Sequence, residues 1–345
     1  MYHTIVVGAG QAGLAMSYFL KSNEKDFLVL DKGSFIGESW VNRYDSLVLF
    51  TPRLYNSLPG MIMDGEPHGL PSKDEVSRYL ALYAKNYQFP VQFNTEVHGV
   101  VQNDDQSFKV TTNNGVFQTK NLVMATGPFH NKFVPSMSKS IDDYVVQLHS
   151  SEYRNESQLQ EGNVLVVGGG NSGAQIAVEL SKSKKTYLAV SKNPDYMPLF
   201  IMGKSIFWWL DKVGILNASS NSMLGKFIQR KGDFIFGHEL KNALKQNRVV
   251  LKSRLIECKA NEVRFQDDST LHIQNIIWST GFRSDYSCIQ INGAISEKNE
   301  VLHQRGISPV KGLYFLGLPW QSKRGSAILQ GVGDDAEYVM TFLKD

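Results

Sequence analysis

The sequence predicts an α/β fold in which two parallel-sheet units of the same plan are combined in one chain. Three observations carry this. An apolar, β-branched run, Thr4-Ile5-Val6-Val7, leads into Gly8-Ala9-Gly10-Gln11-Ala12-Gly13 and an apolar helix from Leu14 to Ser22. The arrangement recurs at Val164-Leu165-Val166-Val167, followed by Gly168-Gly169-Gly170-Asn171-Ser172-Gly173 and a helix through Ile176, Val178 and Leu180. A second landmark repeats with it: Asn121-Leu122-Val123-Met124-Ala125-Thr126-Gly127 is echoed by Asn275-Ile276-Ile277-Trp278-Ser279-Thr280-Gly281. The two Thr-Gly turns are separated by nearly the interval that separates the two glycine loops, which indicates two homologous units rather than a chance loop. The fold class is therefore α/β with two Rossmann-like dinucleotide-binding domains.

In the first unit, a short apolar run reads as a buried parallel strand. Gly8, Gly10 and Gly13 allow a tight turn, close approach of backbone to a pyrophosphate, and close packing of helix on strand. The helix opening at Gln11 and Ala12 offers free N–H groups and its positive dipole end to phosphate. A second strand, Phe27-Leu28-Val29-Leu30, is closed by Asp31, eighteen residues beyond Gly13 and followed by Lys32, where a carboxylate can accept adenosine ribose hydroxyls. Gly37-Glu38-Ser39-Trp40 follows, and Trp40 either walls a planar ring system or fills the core. Ser72 and Glu75 form a capping box ahead of a helix whose Val76, Tyr79, Leu80 and Tyr83 repeat at core spacing. From Val91 onward the period is that of strands, with a hairpin turn at Asn113-Asn114-Gly115 between Phe108–Thr112 and Val116–Thr119. Val97, Ala125, Thr126 and Gly127 are assigned to the same site as Ser39 and Trp40.

The second unit differs at one decisive place. At the spacing where the first has Asp31, Ser191 and Lys192 stand. A carboxylate there would repel a 2′-phosphate, whereas a hydroxyl beside a cation accepts one. The first cradle is thus read as that of FAD and the second as that of NADPH, with Lys192 otherwise a solvated lysine. Gly168, Gly170, Asn171, Ser172, Gly173, Gln175, Thr280 and Gly281 are the second site's remaining candidates. The strand Leu313–Leu316, Gly317 and a helix from about Ala327 return to the first domain, which Gly317 completes. The expected division is an FAD-binding domain of residues 1–157 and 283–345 around a nested NADPH-binding domain of residues 158–282. Ile206-Phe207-Trp208-Trp209-Leu210 reads as an interdomain lid, with the Trp pair as the alternative partner contact.

Composition excludes other classes. The 345 residues are 42% hydrophobic and 20% charged, with 36 basic against 33 acidic side chains and a net charge of +3. No basic block marks nucleic acid as a partner, and no apolar run reaches the ~20 residues of a membrane span. The N-terminus enters a strand too soon for a signal peptide. Cys258 and Cys288, far apart and outside any CxxC, give no disulfide framework, zinc site or redox dithiol. A cytoplasmic protein is expected.

With Gly-Ala-Gly-Gln-Ala-Gly (8–13), Gly-Glu-Ser-Trp (37–40), Ala-Thr-Gly-Pro-Phe-His (125–130), Leu-His-Ser-Ser-Glu-Tyr-Arg (148–154), Gly-Gly-Gly-Asn-Ser-Gly-Ala-Gln (168–175) and Ser-Thr-Gly-Phe-Arg (279–283) in hand, the chain resembles the two-dinucleotide flavoproteins. Within them it is similar to the flavin-containing, class B monooxygenase group, and to its bacterial CzcO-type oxidoreductases, whose name associates them with a cation-efflux transporter. Of that group's motif FxGxxxHxxx(Y/F)(K/R)xxx(P/D), His149, Tyr153 and Arg154 match the later half. Asp143, Val145 and Gln158 depart from it. Thr51 occupies the region of the group's flavin-side asparagine, so no catalytic residue is carried over.

The resemblance implies NADPH reduction of FAD, activation of dioxygen as a C4a-hydroperoxyflavin, and oxygenation of a small soft nucleophile or ketone. The cofactor supplies the chemistry, which accounts for the absence of an assigned catalytic side chain or metal. His130 and His149 are read as hydrogen-bonding residues rather than bases. The alternatives are an NADPH-dependent flavoprotein reductase or oxidase without oxygen insertion, and an FAD-bound accessory or sensor of a cation-efflux system. The partners implied are a small-molecule substrate and dioxygen, with a homodimer and a transporter association compatible.

Overall fold

In the computed structural model, which describes residues 1–232 and 234–343, the N-terminal apolar run forms β1 (Tyr2–Val7), buried from Thr4 to Val7. α1 (Gln11–Ser22) starts directly after the glycine loop, and β2 (Phe27–Leu30) runs parallel to β1 with Ile5 opposite Leu28. The single turn α2 (Glu38–Val41) carries the aromatic loop. α3 (Lys73–Tyr87) begins as expected. The Ser72 hydroxyl accepts the Glu75 N–H while the Glu75 carboxylate accepts the Ser72 N–H. Its Val76, Tyr79, Leu80 and Tyr83 are buried in the same core as Leu14, Met16 and Leu20 of α1.

β3 (Val91–Gln92), β4 (Val97–Gln102), β5 (Phe108–Thr112) and β6 (Gly115–Met124) complete the first sheet's N-terminal part. Where the sequence suggests two strands, 116–119 and 122–126, the structure has the single long β6. Its first half pairs antiparallel with β5, and residues 119–124 pair parallel with β1. One strand serves both the meander and the parallel sheet, so no turn intervenes at Lys120.

β7 (Asn131–Lys132) and β8 (Val146–His149) precede the second unit, which opens with β9 (Val164–Val167), α4 (Asn171–Leu180) and β10 (Thr186–Ala189). A cap follows, made of β11 (Tyr196–Met197), the hairpin β12 (Phe200–Ile201) and β13 (Lys204–Ser205), α5 (Ile206–Lys212), α6 (Met223–Lys231) and β14 (Ile235–Phe236). α7 (Glu239–Lys245), β15 (Val249–Lys252), the antiparallel β16 (Leu255–Lys259), β17 (Glu262–Phe265) and β18 (Thr270–His272), and the buried β19 (Asn275–Trp278) finish it. β20 (Phe282–Arg283), β21 (Leu313–Phe315) and α8 (Leu329–Met340) end the chain's ordered elements.

The first sheet has the order β3-β2-β1-β6-β5-β4, with β21 parallel to β6 on its other path; the second has β15-β10-β9-β19-β8, all parallel. The pairing departs from the sequence-based boundary at β8. That strand falls within 1–157 but hydrogen-bonds to β19 in the second sheet, Leu148 opposite Ile277. α8 starts at Leu329 rather than Ala327, after a 3₁₀ turn over Arg324–Ala327. Gly331 in its first turns permits this turn to press against the helix, since an added Cβ would lie 2.7 Å from the Gly325 carbonyl carbon. Among the described residues no helix is long and apolar enough to cross a membrane.

Candidate functional site: two phosphate cradles and their junction

Both glycine loops show the same division of labour. Gly8 has φ +103°, and a Cβ there would meet the Ala125 carbonyl oxygen at 2.6 Å; one on Gly13 would lie 1.8 Å from the Gly8 oxygen. In the second unit Gly168 has φ +118° against Ser279, and Gly173 closes on the Gly168 oxygen at 2.0 Å. The middle glycines differ. A Cβ on Gly10 or Gly170 would meet nothing within 4 Å. Each stands at the N-cap of its helix, with no side chain capping it and no acid in the first turn. Uncapped N–H groups at the positive dipole end, beside open space, fit an anionic pyrophosphate in each unit.

At the first cradle Asp31 holds the loop in shape. Its Oδ2 accepts the Ala9 N–H at 2.5 Å and its Oδ1 accepts the Gly33 N–H at 2.7 Å. A carboxylate offers about four acceptor positions, so capacity remains for ribose hydroxyls. Lys32 and Ser39 are exposed. Trp40 is half-buried against the core that contains Tyr79 and Val76. Val97 follows Thr95, whose N–H donates to the Asp31 carbonyl at 2.8 Å. Ala125 is buried, Thr126 exposed, and Gly127 takes φ +72° facing open space. Gly317, φ +80°, lets the end of β21 abut the loop, where a Cβ would approach that of Ala12 at 2.8 Å. Gln11 is spent on the protein, its Nε2 donating to the Ala327 carbonyl at 3.1 Å.

At the second cradle Ser191 and Lys192 are exposed and line a cavity of about 360 Å³ with Lys252 and Arg254. Sequence reading missed those two cations. Parallel pairing puts Lys252 opposite Ala189, two residues before Ser191, and a register between strands some sixty positions apart leaves no local signal. Asn171 ties down the cap, donating to the Phe234 carbonyl at 2.9 Å and accepting the Phe236 N–H at 3.1 Å. Ser172 is exposed. Gln175 faces the first unit, its Nε2 donating to the Val48 carbonyl at 3.2 Å. Thr280 donates its hydroxyl to the Phe133 carbonyl, and Gly281, φ +83°, faces open space.

The two Thr-Gly turns meet at a junction held by histidines. β7 pairs antiparallel with β20, Lys132 opposite Phe282. His130 Nδ1 accepts the Asp285 N–H at 2.7 Å, which leaves Nε2 to donate to Thr126 Oγ1 at 2.9 Å. His149 Nδ1 accepts the Ser151 N–H at 3.2 Å, and Nε2 donates to the Gly281 carbonyl at 3.0 Å. Burial lowers both imidazoles from their ordinary range, and both are neutral ties. The cap is docked on the first unit as well: Phe50 stacks on Phe236 at 4.5 Å, and the Tyr55 hydroxyl donates to Asp211 at 3.2 Å. Trp208 and Trp209 are half-buried and edge-to-face at 4.9 Å. Cys258 and Cys288 lie in separate cores, so they make no dithiol at either cradle. Thr51 is buried and hydrogen-bonded to Asn56 at 2.9 Å.

Residues 5–196 match the family described as pyridine nucleotide-disulphide oxidoreductase. The chain is 58% identical over 340 residues to the oxidoreductase CzcO of Bacillus subtilis (strain 168), covering 99% of this chain and 98% of that relative. It is 26% identical over 379 residues to the indole-3-pyruvate monooxygenase YUCCA8 of Oryza sativa subsp. indica, covering 96% of this chain and 88% of that protein. Among solved structures, the flavin-containing monooxygenase from Stenotrophomonas maltophilia superposes with a TM-score of 0.83 at 24% identity, over 99% of this chain and 98% of that one. That likeness carries the fold.

Proposed function

The chain belongs to the pyridine nucleotide-disulphide oxidoreductase family and is a flavin monooxygenase-like oxidoreductase; from that premise we propose that it is an FAD-dependent, NADPH-oxidising enzyme that delivers oxygen to a small soft nucleophile or a ketone. The observation that carries the proposal is the pair of uncapped helix N-termini, each with an open middle glycine, that differ in what stands at the ribose end. Asp31 suits the free ribose hydroxyls of FAD, and Ser191, Lys192, Lys252 and Arg254 suit the 2′-phosphate of NADPH.

Gly8 to Gly13, Asp31, Ala125 to Gly127 and Gly317 would hold FAD, and Gly168 to Gly173 with Thr280 and Gly281 would hold the nicotinamide dinucleotide. The chemistry supplied when both are bound is hydride transfer from nicotinamide to flavin and reduction of dioxygen. The protein orients and encloses. The helix N-termini would fix the phosphates, and His130, which joins Thr126 to the Asp285 backbone, would hold one Thr-Gly turn against the other, with the cap docked on the first unit through Phe50 and Phe236.

The test is anaerobic titration of the purified yellow protein with NADPH and with NADH, followed by measurement of oxygen uptake and peroxide release. Bleaching by NADPH ahead of NADH, with peroxide falling below oxygen consumed when a thioether or ketone is added, supports the proposal. Stoichiometric peroxide with every such compound would reduce it to an oxidase, and a protein that binds no flavin would end it.

A further inference from the structure

Arg43 is a cation to which the described residues give no acid. It lies just past α2, its N–H bonded to the Trp40 carbonyl at 3.1 Å, and its neighbour Tyr44 reaches α4. The Arg43 guanidinium sits between the two Thr-Gly turns instead. Its Cζ is 4.8 Å from the centroid of the Phe129 ring and 5.8 Å from that of Phe282, and these rings are 4.9 Å apart. Phe129 follows Gly127 in the first unit, and Phe282 follows Gly281 in the second. Both glycines face open space, and Phe129 is 58% exposed. Arg43 therefore spans the mouth where the carboxyl ends of the two sheets converge, the crevice in which ligands of such sheets lie.

Among the described residues no carboxylate is within ion-pairing distance of Arg43, and none of its side-chain N–H groups has a protein acceptor. The neighbouring charge is of like sign. Arg154 spends its Nη1 on the carbonyls of Asn42 and Ser151 and has no carboxylate partner among the described residues either. Burial and Arg154 both pull the Arg43 guanidinium below its ordinary value. A half-buried guanidinium next to another cation is stable when something negative completes it. Phe129 and Phe282 lie against the guanidinium, and its planar five-donor fork suits the paired oxygens of a phosphate or carboxylate.

We propose that Arg43 is an oxyanion-binding residue of the junction, its fork receiving the negative oxygens of a ligand that lies across both Thr-Gly turns. The source of that oxyanion is the phosphate chain of the nicotinamide dinucleotide or the carboxylate of an acidic substrate. The inference rests on the two-dinucleotide reading above.

The experiment uses the FAD-loaded enzyme and the variants Arg43→Lys, Arg43→Gln and Arg43→Met, with flavin content and melting temperature recorded for each. NADP⁺ binding is measured by fluorescence titration, and 4-acetylbenzoate and neutral acetophenone by perturbation of the flavin spectrum. A dinucleotide source raises the NADP⁺ dissociation constant about tenfold or more in the Gln and Met variants, with Lys intermediate and NADPH and NADH affected alike. A substrate source leaves NADP⁺ unchanged and weakens 4-acetylbenzoate by a similar factor while sparing acetophenone. If no titration distinguishes a folded, flavin-loaded Gln or Met variant from the parent, the proposal is overturned. Failure of the two-dinucleotide reading is separable, because the parent enzyme would then lack FAD or bind no NADP⁺.

Discussion

Tyr44 donates its phenolic hydrogen to the Gln175 side-chain oxygen at 2.7 Å, joining the loop behind Trp40 to the first turns of α4. The same seam carries the Asp45 N–H to the Arg154 carbonyl at 2.8 Å and the Asn155 amide to Asp45 at 2.6 Å. Burial pushes the Tyr44 hydroxyl up to about 12, so it stays a donor throughout the working pH range. On the proposed function a hydride passes between the two cradles, which requires a fixed separation, and this clip is one of the bonds that sets it.

Tyr44→Phe should accordingly cost about 1 kcal/mol of stability, the net worth of one hydrogen bond. The larger effect falls on the second cradle, since Gln175 is then held by Val48 alone. Urea denaturation gives the first quantity, and the KM for NADPH gives the second. Flavin content should hold. A variant that loses FAD but binds NADPH normally would place the clip's influence on the wrong cradle.

Gly10 and Gly13 separate ligand from fold. At Gly13 an alanine would put its Cβ 1.8 Å from the Gly8 oxygen, so Gly13→Ala should destabilise the apoprotein by about 1–3 kcal/mol or more, the cost of overpacking. Gly10 has φ −75° and no neighbour in reach, so Gly10→Ala should leave apoprotein stability nearly unchanged and lose FAD. Gly170→Ala, at φ −79°, should do the same for NADP⁺. Thermal melts with and without added cofactor read both effects. Full FAD retention by Gly10→Ala contradicts a pyrophosphate at that position.

What the sequence makes legible here is what short-range chemistry decides. The glycine loops, Asp31 and the Ser72–Glu75 capping box each depend on neighbours within about twenty positions, and all are where their spacing puts them. Side-chain direction is another matter. Gln11, Asn171, Gln175 and Thr280 sit in or beside the loops, and each also has a side-chain hydrogen bond to the protein that spacing does not reveal. Lys252 and Arg254 reach Ser191 only through strand register, and β8 joins the second sheet through pairing with a strand far along the chain. Arg43 gives no signal in one dimension, because what sets it apart is that no carboxylate among the described residues reaches it in three.

Lys192 and Arg254 should decide between the two nicotinamide dinucleotides. Both line the cavity at the end of β10 and β15, whereas Lys252 is already hydrogen-bonded to Ser269 at 3.0 Å. Lys192→Ala and Arg254→Ala should each raise the KM for NADPH about fivefold to tenfold and leave that for NADH unchanged, the loss of one charge-assisted contact to phosphate. Lys252→Ala should do less. Steady-state kinetics with both dinucleotides checks this, and equal effects on both would move the 2′-phosphate elsewhere.

The junction histidines give the fold a pH dependence of definite sign. His130 and His149 each accept a backbone N–H on Nδ1, so a proton added there would face a donor, and burial lowers both from the ordinary 6.5. His130 is flanked by Asp285 and Lys32, and His149 by Glu152, Lys132 and Arg43, so neither has an acid free of an opposing cation. The folded state therefore binds fewer protons than the unfolded chain between the depressed values and 6.5, and stability rises with pH there. It should be fully present above about pH 7 and fall as pH drops through 6.5 toward the folded values. Glu75, held near 2 by the Ser72 N–H and Arg53, adds its own loss as pH falls through the ordinary glutamate value toward 2. Urea denaturation at pH 7.5, 6.5 and 5.5 measures the slope, and the double variant His130→Gln/His149→Gln, which keeps a donor at the Nε2 position without titrating, should flatten it. An unchanged slope in that variant would assign the pH dependence to other groups and leave these two histidines as spacers.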